Sequence, residues 1–444
     1  MEPLPDPERL RRDADRGIAA AQYNLGAWLL SGGAEGQPDL AGARRWLEAA
    51  AEQEFAPALL VLARLRLAGE GGAPDPAGAA PLLGRAVAAG HPEAMFRLAD
   101  LQAMGEGTGR DAEAARAGWA RALEAGFGPA AGRLAWALEA GVGGAADPAA
   151  SSRVWRGAAA AGDATALAVL GRRLARGHTF PVDPRRALAC FRCAAAAGHP
   201  SATLEAASLA AEAGIEPRGA EAPATDPLAG LPEPDADRAL PRREPTARLL
   251  SWSPRAFVFA GMIPDEERLH LIAAAAPLLR PALVVSRETG RPASSPGRRS
   301  GLARLGGPFR DPIVAAHEER IALHSRFPPD CGETLVVLCY GPGDEYRPHH
   351  DWFDRADPAR REVLARGGQR LATFITWLSP VAGGGETVFP AAGVTVPAEP
   401  GGALFFYNCH PDGTPDPASG HAGAPVTRGG KWIATRWLRE RPPR

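Results

Sequence analysis

The chain has 444 residues, 45% hydrophobic side chains and a formal net charge of -1, enough for two or three domains that each bury a core. That near-neutral balance, with no block rich in Lys and Arg, excludes a long-range pull toward nucleic acid or an anionic membrane. Five scattered cysteines, an odd count, do not form a disulfide framework, and no apolar run is long enough to cross a bilayer, so the expectation is a soluble protein of a reducing cytoplasm.

The first feature along the chain is a repeat. Gly90, Gly126, Gly162 and Gly198 lie 36 residues apart, as do Ala58, Ala94, Ala130 and Ala166, and Leu62, Leu98, Leu134 and Leu170. A further register holds Leu83, Trp119, Trp155 and Phe191, with Trp46 one residue out of step. Each unit reads as two helices, the second closed by a Gly suited to the left-handed cap. One hairpin cannot bury its own apolar face, so the units are expected to stack as an all-α solenoid. The stretch AAAQYNLGAWLLSGG, followed by PDLAGARRWLEAAAEQ, resembles the Sel-one-like repeat, a relative of the tetratricopeptide repeat. About five units cover residues 15–214, and the resemblance implies a surface for a protein partner. Cys190 and Cys193 sit inside a repeat helix and read as packing residues.

Residues 215–246 carry seven prolines and few large apolar side chains. They read as a Pro-rich linker, with few contacts expected between the parts it joins and independent folding of residues 247–444. From 247 onward a short helix over 264–276 precedes β-patterned segments: TLVVLCY, RLATFITWL, GVTV, ALFFYN and KWIATRWL. Residues 286–301 read as a polar surface loop.

His349 and Asp351 follow a strand and, two apart in extended backbone, share a side. His421, at the start of a later strand, supplies the third member of a two-His, one-carboxylate set that holds Fe(II) and leaves positions open. A second H-x-D, His410 with Asp412, lies in a proline-broken loop with no strand to aim it. His350 is expected to point away from the pair, and His270, His317 and His324 read as surface or capping residues.

Of 50 basic side chains, Lys431 is the only lysine, ten residues past His421 at the head of the next strand. An iron with open sites could take the 1-carboxylate and 2-keto oxygen of 2-oxoglutarate, with a place left for O2. The far 5-carboxylate then needs a compact cation such as Lys431, with hydroxyls from Thr387 and Tyr340.

Four stretches, SWSPRAF (251–257), YGPGDEYRPHHDWF (340–353), GGQRLATFITWLSPVAGGGETVFP (367–390) and HAGAPVTRGGKWIATRWL (421–438), make residues 251–440, within a domain spanning 247–444, resemble a prolyl 4-hydroxylase of the plant, algal and bacterial type among the Fe(II) and 2-oxoglutarate dioxygenases. The resemblance implies a double-stranded β-helix (jelly-roll) with flanking helices. It implies His349, Asp351 and His421 as metal ligands, Lys431, Thr387 and Tyr340 as 2-oxoglutarate contacts, and Tyr346, Arg370, Arg299 and Trp437 near a peptide substrate containing proline. Ascorbate is implied as a further cofactor. The chain departs from the family pattern at Ala424 and at Arg439, the latter expected near the substrate groove. The expected reaction is C4 hydroxylation of peptidyl proline; the alternatives are the same chemistry on another side chain or a small molecule, or a repeat scaffold without catalysis.

Overall fold

The computed structural model describes residues 7–33, 36–215, 226–282, 284–285, 292–293 and 300–443. It divides into two compact units, residues 1–147 and 148–444.

The first unit holds α1 (Pro7–Asp15), α2 (Ala19–Leu30), α3 (Leu40–Glu52), α4 (Ala56–Ala68), α5 (Pro76–Ala88), α6 (Pro92–Met104), α7 (Ala112–Glu124) and α8 (Ala130–Ala140). The repeats continue in the second unit with α9 (Pro148–Ala160), α10 (Ala164–Arg176), α11 (Pro184–Ala196) and α12 (Ala202–Glu212). Ala58, Ala94, Ala130 and Ala166 are fully buried, where only a methyl fits between helices. Leu83, Trp119, Trp155 and Phe191 are buried as well; in the preceding repeat the equivalent position is Leu47, not Trp46. Two further registers of the same period set the helix ends. Asp39, Asp75, Asp111 and Asp183 each cap a helix by accepting a hydrogen bond from a backbone N–H three residues on. Gly69, Gly105, Gly141 and Gly177 close helices in the left-handed conformation, with φ between 71° and 74°.

The connection after α12 is more than a spacer. In its described part, Asp235 donates its N–H to the Thr179 carbonyl at 2.8 Å, Leu240 donates to His178 Nδ1 at 2.9 Å, and Glu233 meets Arg156. The expectation of a free linker therefore fails over residues 226–246, which are fastened to the last repeats.

The strands begin with β1 (Thr246–Trp252), β2 (Arg255–Ala260), β3 (Arg280–Pro281), β4 (Val284–Val285), β5 (Pro292–Ala293) and β6 (Gly301–Leu305). Then come β7 (Leu335–Tyr340), β8 (Tyr346–His349), β9 (Arg370–Trp377), β10 (Gly383–Gly384), β11 (Thr387–Phe389) and β12 (Val394–Val396). β13 (Ala403–Tyr407), β14 (His421–Gly423), β15 (Val426–Arg428) and β16 (Lys431–Arg439) complete the set. Each of the five segments read as strands is a strand. The helices among them are α13 (Asp265–Ala275), α14 (Pro312–Ser325) and α15 (Arg361–Gly367).

A large sheet runs β1-β2-β13-β9-β16-β7-β6-β3 and a small one runs β12-β11-β14-β8, with antiparallel pairing. This is the expected double-stranded β-helix. Alternation along the strands sorts two cores. Leu335 and Val337 of β7 and Trp432, Ala434 and Leu438 of β16 pack with Leu271 and Ile272 of α13 and Val314 and Ile321 of α14. Val336, Leu338 and Tyr340, with Ile433 and Trp437, pack with Trp377, Phe389 and Phe406 of the other core. Each fully buried side chain of this size contributes about 1.5–3 kcal/mol. The alternation that sends Trp432 toward the helices aims Lys431, Ile433, Thr435 and Trp437 the other way, into one cavity.

Glu205 of α12 and Arg268 of α13 are both fully buried and joined as an ion pair. Arg268 also meets Asp265 at 2.7 Å and donates to the Leu378 carbonyl at 2.9 Å. Arg172 of α10 stands 3.5 Å from Glu205 and 3.6 Å from Asp265. The expectation of few contacts across residues 215–246 is thus reversed inside the second unit: the last repeats share a buried charge cluster with the β-domain.

Candidate metal and co-substrate site

The cavity is lined by Tyr340, Tyr346, His349, Asp351, Thr373, Thr387, His421, Lys431, Thr435 and Trp437, with Leu338, Ile375 and Ile433 as apolar walls. Backbone pairing builds it. His421 of β14 stands opposite His349 of β8, and Lys431 of β16 stands opposite Tyr340 of β7. The ligand atoms of His349, Asp351 and His421 all lie within 4.8 Å of one another, the one such group among the described residues.

Each histidine is oriented by its far nitrogen. His349 Nδ1 is 2.9 Å from the Arg347 carbonyl and His421 Nδ1 is 3.0 Å from the Ser419 carbonyl. A carbonyl only accepts, so Nδ1 carries the proton and Nε2 offers its lone pair to the centre. The two Nε2 atoms stand 3.6 Å and 3.7 Å from different oxygens of Asp351. Burial lowers the His421 pKa to about 4, which keeps its imidazole neutral and able to ligate. Burial pushes the Asp351 carboxyl upward, but His421 and His349 outweigh it and hold the group well below the ordinary carboxylate range. Thr373 donates to Asp351 Oδ2 at 2.7 Å, and Asn408 Nδ2 donates to Thr373 Oγ1 at 2.9 Å. This donor set, two neutral imidazole nitrogens and one fixed carboxylate on the same side, fits Fe(II) with open positions.

Lys431 is 4% exposed, and its Nζ donates to the Gly385 carbonyl at 2.5 Å. Its Nζ also lies 5.5 Å from the centre of the Tyr340 ring, within cation–π range. Burial lowers its pKa to about 8, partly offset by Glu386. An amine so disfavoured as a cation is a site that gains from a carboxylate arriving beside it. Thr387 is buried on the cavity wall.

Residues 335–439 match the 2OG-Fe(II) oxygenase superfamily, and residues 19–55, 92–127 and 164–199 match the Sel1 repeat. The chain is 40% identical over 218 residues to probable prolyl 4-hydroxylase 3 of Arabidopsis thaliana, covering 44% of this chain and 73% of that one. The chain belongs to the prolyl 4-hydroxylase family. Prolyl 4-hydroxylase 1 of the same plant is 39% identical over 207 residues, covering 44% of this chain and 71% of that protein. A solved viral collagen prolyl hydroxylase from Paramecium Bursaria Chlorella virus-1 is 26% identical, with a TM-score of 0.33, over 41% of this chain and 95% of that one.

The cavity brings together every site residue anticipated from sequence except two. Arg299 lies outside the described residues. Arg370 stands at the rim, its guanidinium 3.9 Å from the centre of the Trp437 ring and in a two-pronged ion pair with Glu333 at 2.7 and 2.8 Å. Tyr346 stacks flat on His349, ring centres 3.5 Å apart.

Arg439, anticipated near a substrate groove, is buried instead. It donates to Glu333 at 2.9 Å and to the carbonyls of Val363 and Gly368 at 2.7 and 2.6 Å. Burial raises the Glu333 carboxyl, but its bonds to Arg370 and Arg439 prevail and hold it low. His317, read as a surface or capping residue, is fully buried, 3.1 Å from Thr376 Oγ1. His410 is half exposed, 3.9 Å from Asp416, away from the centre, and His350 turns to the Pro417 carbonyl. Thr373, Asn408 and Thr435 were missed. Their signal was a polar side chain in an otherwise apolar strand, or at its end, where nothing but a partner justifies burial.

Proposed function

We propose that the protein is an Fe(II)- and 2-oxoglutarate-dependent dioxygenase that hydroxylates peptidyl proline at C4. The observation that carries this reading is one cavity containing both a metal-competent His349, Asp351 and His421 set and the buried amine of Lys431. Bound iron with 2-oxoglutarate and O2 would supply the oxidising chemistry, with succinate and carbon dioxide as co-products.

The side chains position and protect. His349, Asp351 and His421 would hold the metal and leave positions open for the co-substrate. Lys431 Nζ would hold the 5-carboxylate, with Tyr340 and Thr387 as hydroxyl donors, and Ile375 and Ile433 keep water from that pocket. Thr373 and Asn408 keep Asp351 from rotating. Tyr346, Arg370, Trp437 and Arg299 are assigned to the peptide. Ascorbate serves as reductant on the family's pattern, and the five free thiols agree with a reducing cytoplasm. Residues 15–214 are assigned to the repeat domain with protein binding as its role, and 247–444 to the dioxygenase domain. No helix among the described residues is long and apolar enough to cross a membrane.

Purified protein supplied with Fe(II), 2-oxoglutarate and proline-containing peptides should release succinate and leave one added oxygen on proline. Succinate with oxygen on another residue would move the substrate assignment; no succinate would defeat the reading.

A further inference from the structure

We propose that the terminal repeat helix α12 positions the co-substrate lysine, through Leu204 and Glu205 gripping the two flanks of the strand that carries Lys431. The inference rests on Lys431 as the partner of the 2-oxoglutarate 5-carboxylate.

Leu204 acts on the near flank. Its methyl carbons lie 3.3 Å and 3.6 Å from where Cβ atoms would stand on Gly429 and Gly430, the two residues that turn the chain into β16. Gly429 has φ +78°, and a Cβ on Gly430 would also lie 3.4 Å from the Tyr340 carbonyl. At Gly429 the left-handed backbone and the close leucine call for glycine, whereas Gly430 only touches its neighbours at ordinary van der Waals distance; the turn is closed by a leucine from α12. Leu204 packs against the same core as Trp432, the residue after Lys431.

Glu205 acts on the far flank. It holds Arg268, whose guanidinium donates to the Leu378 carbonyl at 2.9 Å. Leu378 in turn donates its N–H to the Trp432 carbonyl at 2.9 Å, and Trp432 donates its own N–H to Ser379 Oγ at 2.9 Å. Residues 378 and 379 thus hold both backbone groups of Trp432, the residue after Lys431, and this bracket is tied to Glu205. Inside the pocket the lysine stem passes over Gly385, where an added Cβ would come within 3.2 Å of it, and the same residue's carbonyl takes its Nζ. A small shift of the turn would carry the amine off its mark.

The two residues belong to a repeat, yet their contacts serve the dioxygenase cavity. The last repeats are on this account part of the catalytic unit, in keeping with a compact unit that begins at Pro148.

The test measures 2-oxoglutarate binding to the full chain by calorimetry, with Mn(II) in place of iron, and compares wild type with Leu204→Ala, Leu204→Met and Lys431→Ala. Leu204→Ala should weaken binding about three- to tenfold, with Mn(II) affinity unchanged. Leu204→Met, which refills the contact, should restore it. In a Lys431→Ala background, Leu204→Ala should add no further loss, because its effect passes through the amine. If Leu204→Ala does not fold, Leu204→Val takes its place with the same expected pattern. Wild-type affinity in the Leu204→Ala protein, or an equal loss with and without Lys431, overturns the inference. A wild type that does not bind 2-oxoglutarate at all overturns the functional reading on which it rests.

Discussion

Thr373 Oγ1 donates a 2.7 Å hydrogen bond to Asp351 Oδ2, and both groups are buried. The carboxylate can present its other oxygen to a metal only while this bond fixes its rotation. Thr373→Val keeps the shape and removes the donor. Metal affinity should fall about 10- to 100-fold, read by Mn(II) titration, while the melting temperature changes little. Unchanged affinity would make the bond incidental.

Two H-x-D pairs compete in this sequence, and geometry separates them. His349→Ala, Asp351→Ala and His421→Ala should each abolish 2-oxoglutarate turnover and the thermal shift caused by Mn(II). His410→Ala and Asp412→Ala should leave both intact. The opposite pattern would refute the ligand assignment.

Lys431→Arg keeps a charge but widens it, so the Km for 2-oxoglutarate should rise at least about tenfold, equivalent to roughly 1.4 kcal/mol, and Lys431→Ala should do worse. The pH dependence follows from burial, which lowers the amine pKa to about 8. Below that value the free pocket carries its cation; above it the dicarboxylate must bind with proton uptake. Apparent affinity should therefore decline about tenfold per pH unit above 8. For the ligand-free fold the sign is opposite. The unfolded chain holds this proton up to the ordinary lysine range, so the cost of burying the cation, present in full below pH 8, fades as pH rises beyond it. Calorimetric titrations from pH 6.5 to 9.5 check the binding slope.

Glu205→Ala leaves Arg268 buried and without its main counter-charge, a change that should cost about 3–5 kcal/mol. Glu205→Leu with Arg268→Met, which removes both charges, should recover much of it. Chemical denaturation of the three proteins measures the difference. For the same reason residues 247–444 alone should express poorly, whereas 148–444 should fold.

Sequence revealed the parts whose pattern is local or periodic. The 36-residue spacing announced the repeats, and alternation announced β7, β9 and β16. H-x-D, His421 and Lys431 were legible because metal and carboxylate chemistry restrict residue type severely. Contacts between distant segments left no such mark. Glu205 looked like one more polar residue of a repeat helix, and a proline-rich stretch looked free because composition does not record the bonds Asp235 and Leu240 make. Arg439 was misplaced because its expected position came from the family pattern, which does not record what this chain packs there; Glu333, Val363 and Gly368 close over it.

The lone lysine has a practical consequence. Apart from its amino terminus the chain offers a single primary amine, at the bottom of a pocket and about half neutral near pH 8. A small acylating reagent should modify that one side chain, at a rate that drops when a dicarboxylate fills the cavity. Occupancy could then be read as covalent protection at one residue, and any lysine-directed modification of the folded protein would have to reach it through the substrate's own entrance.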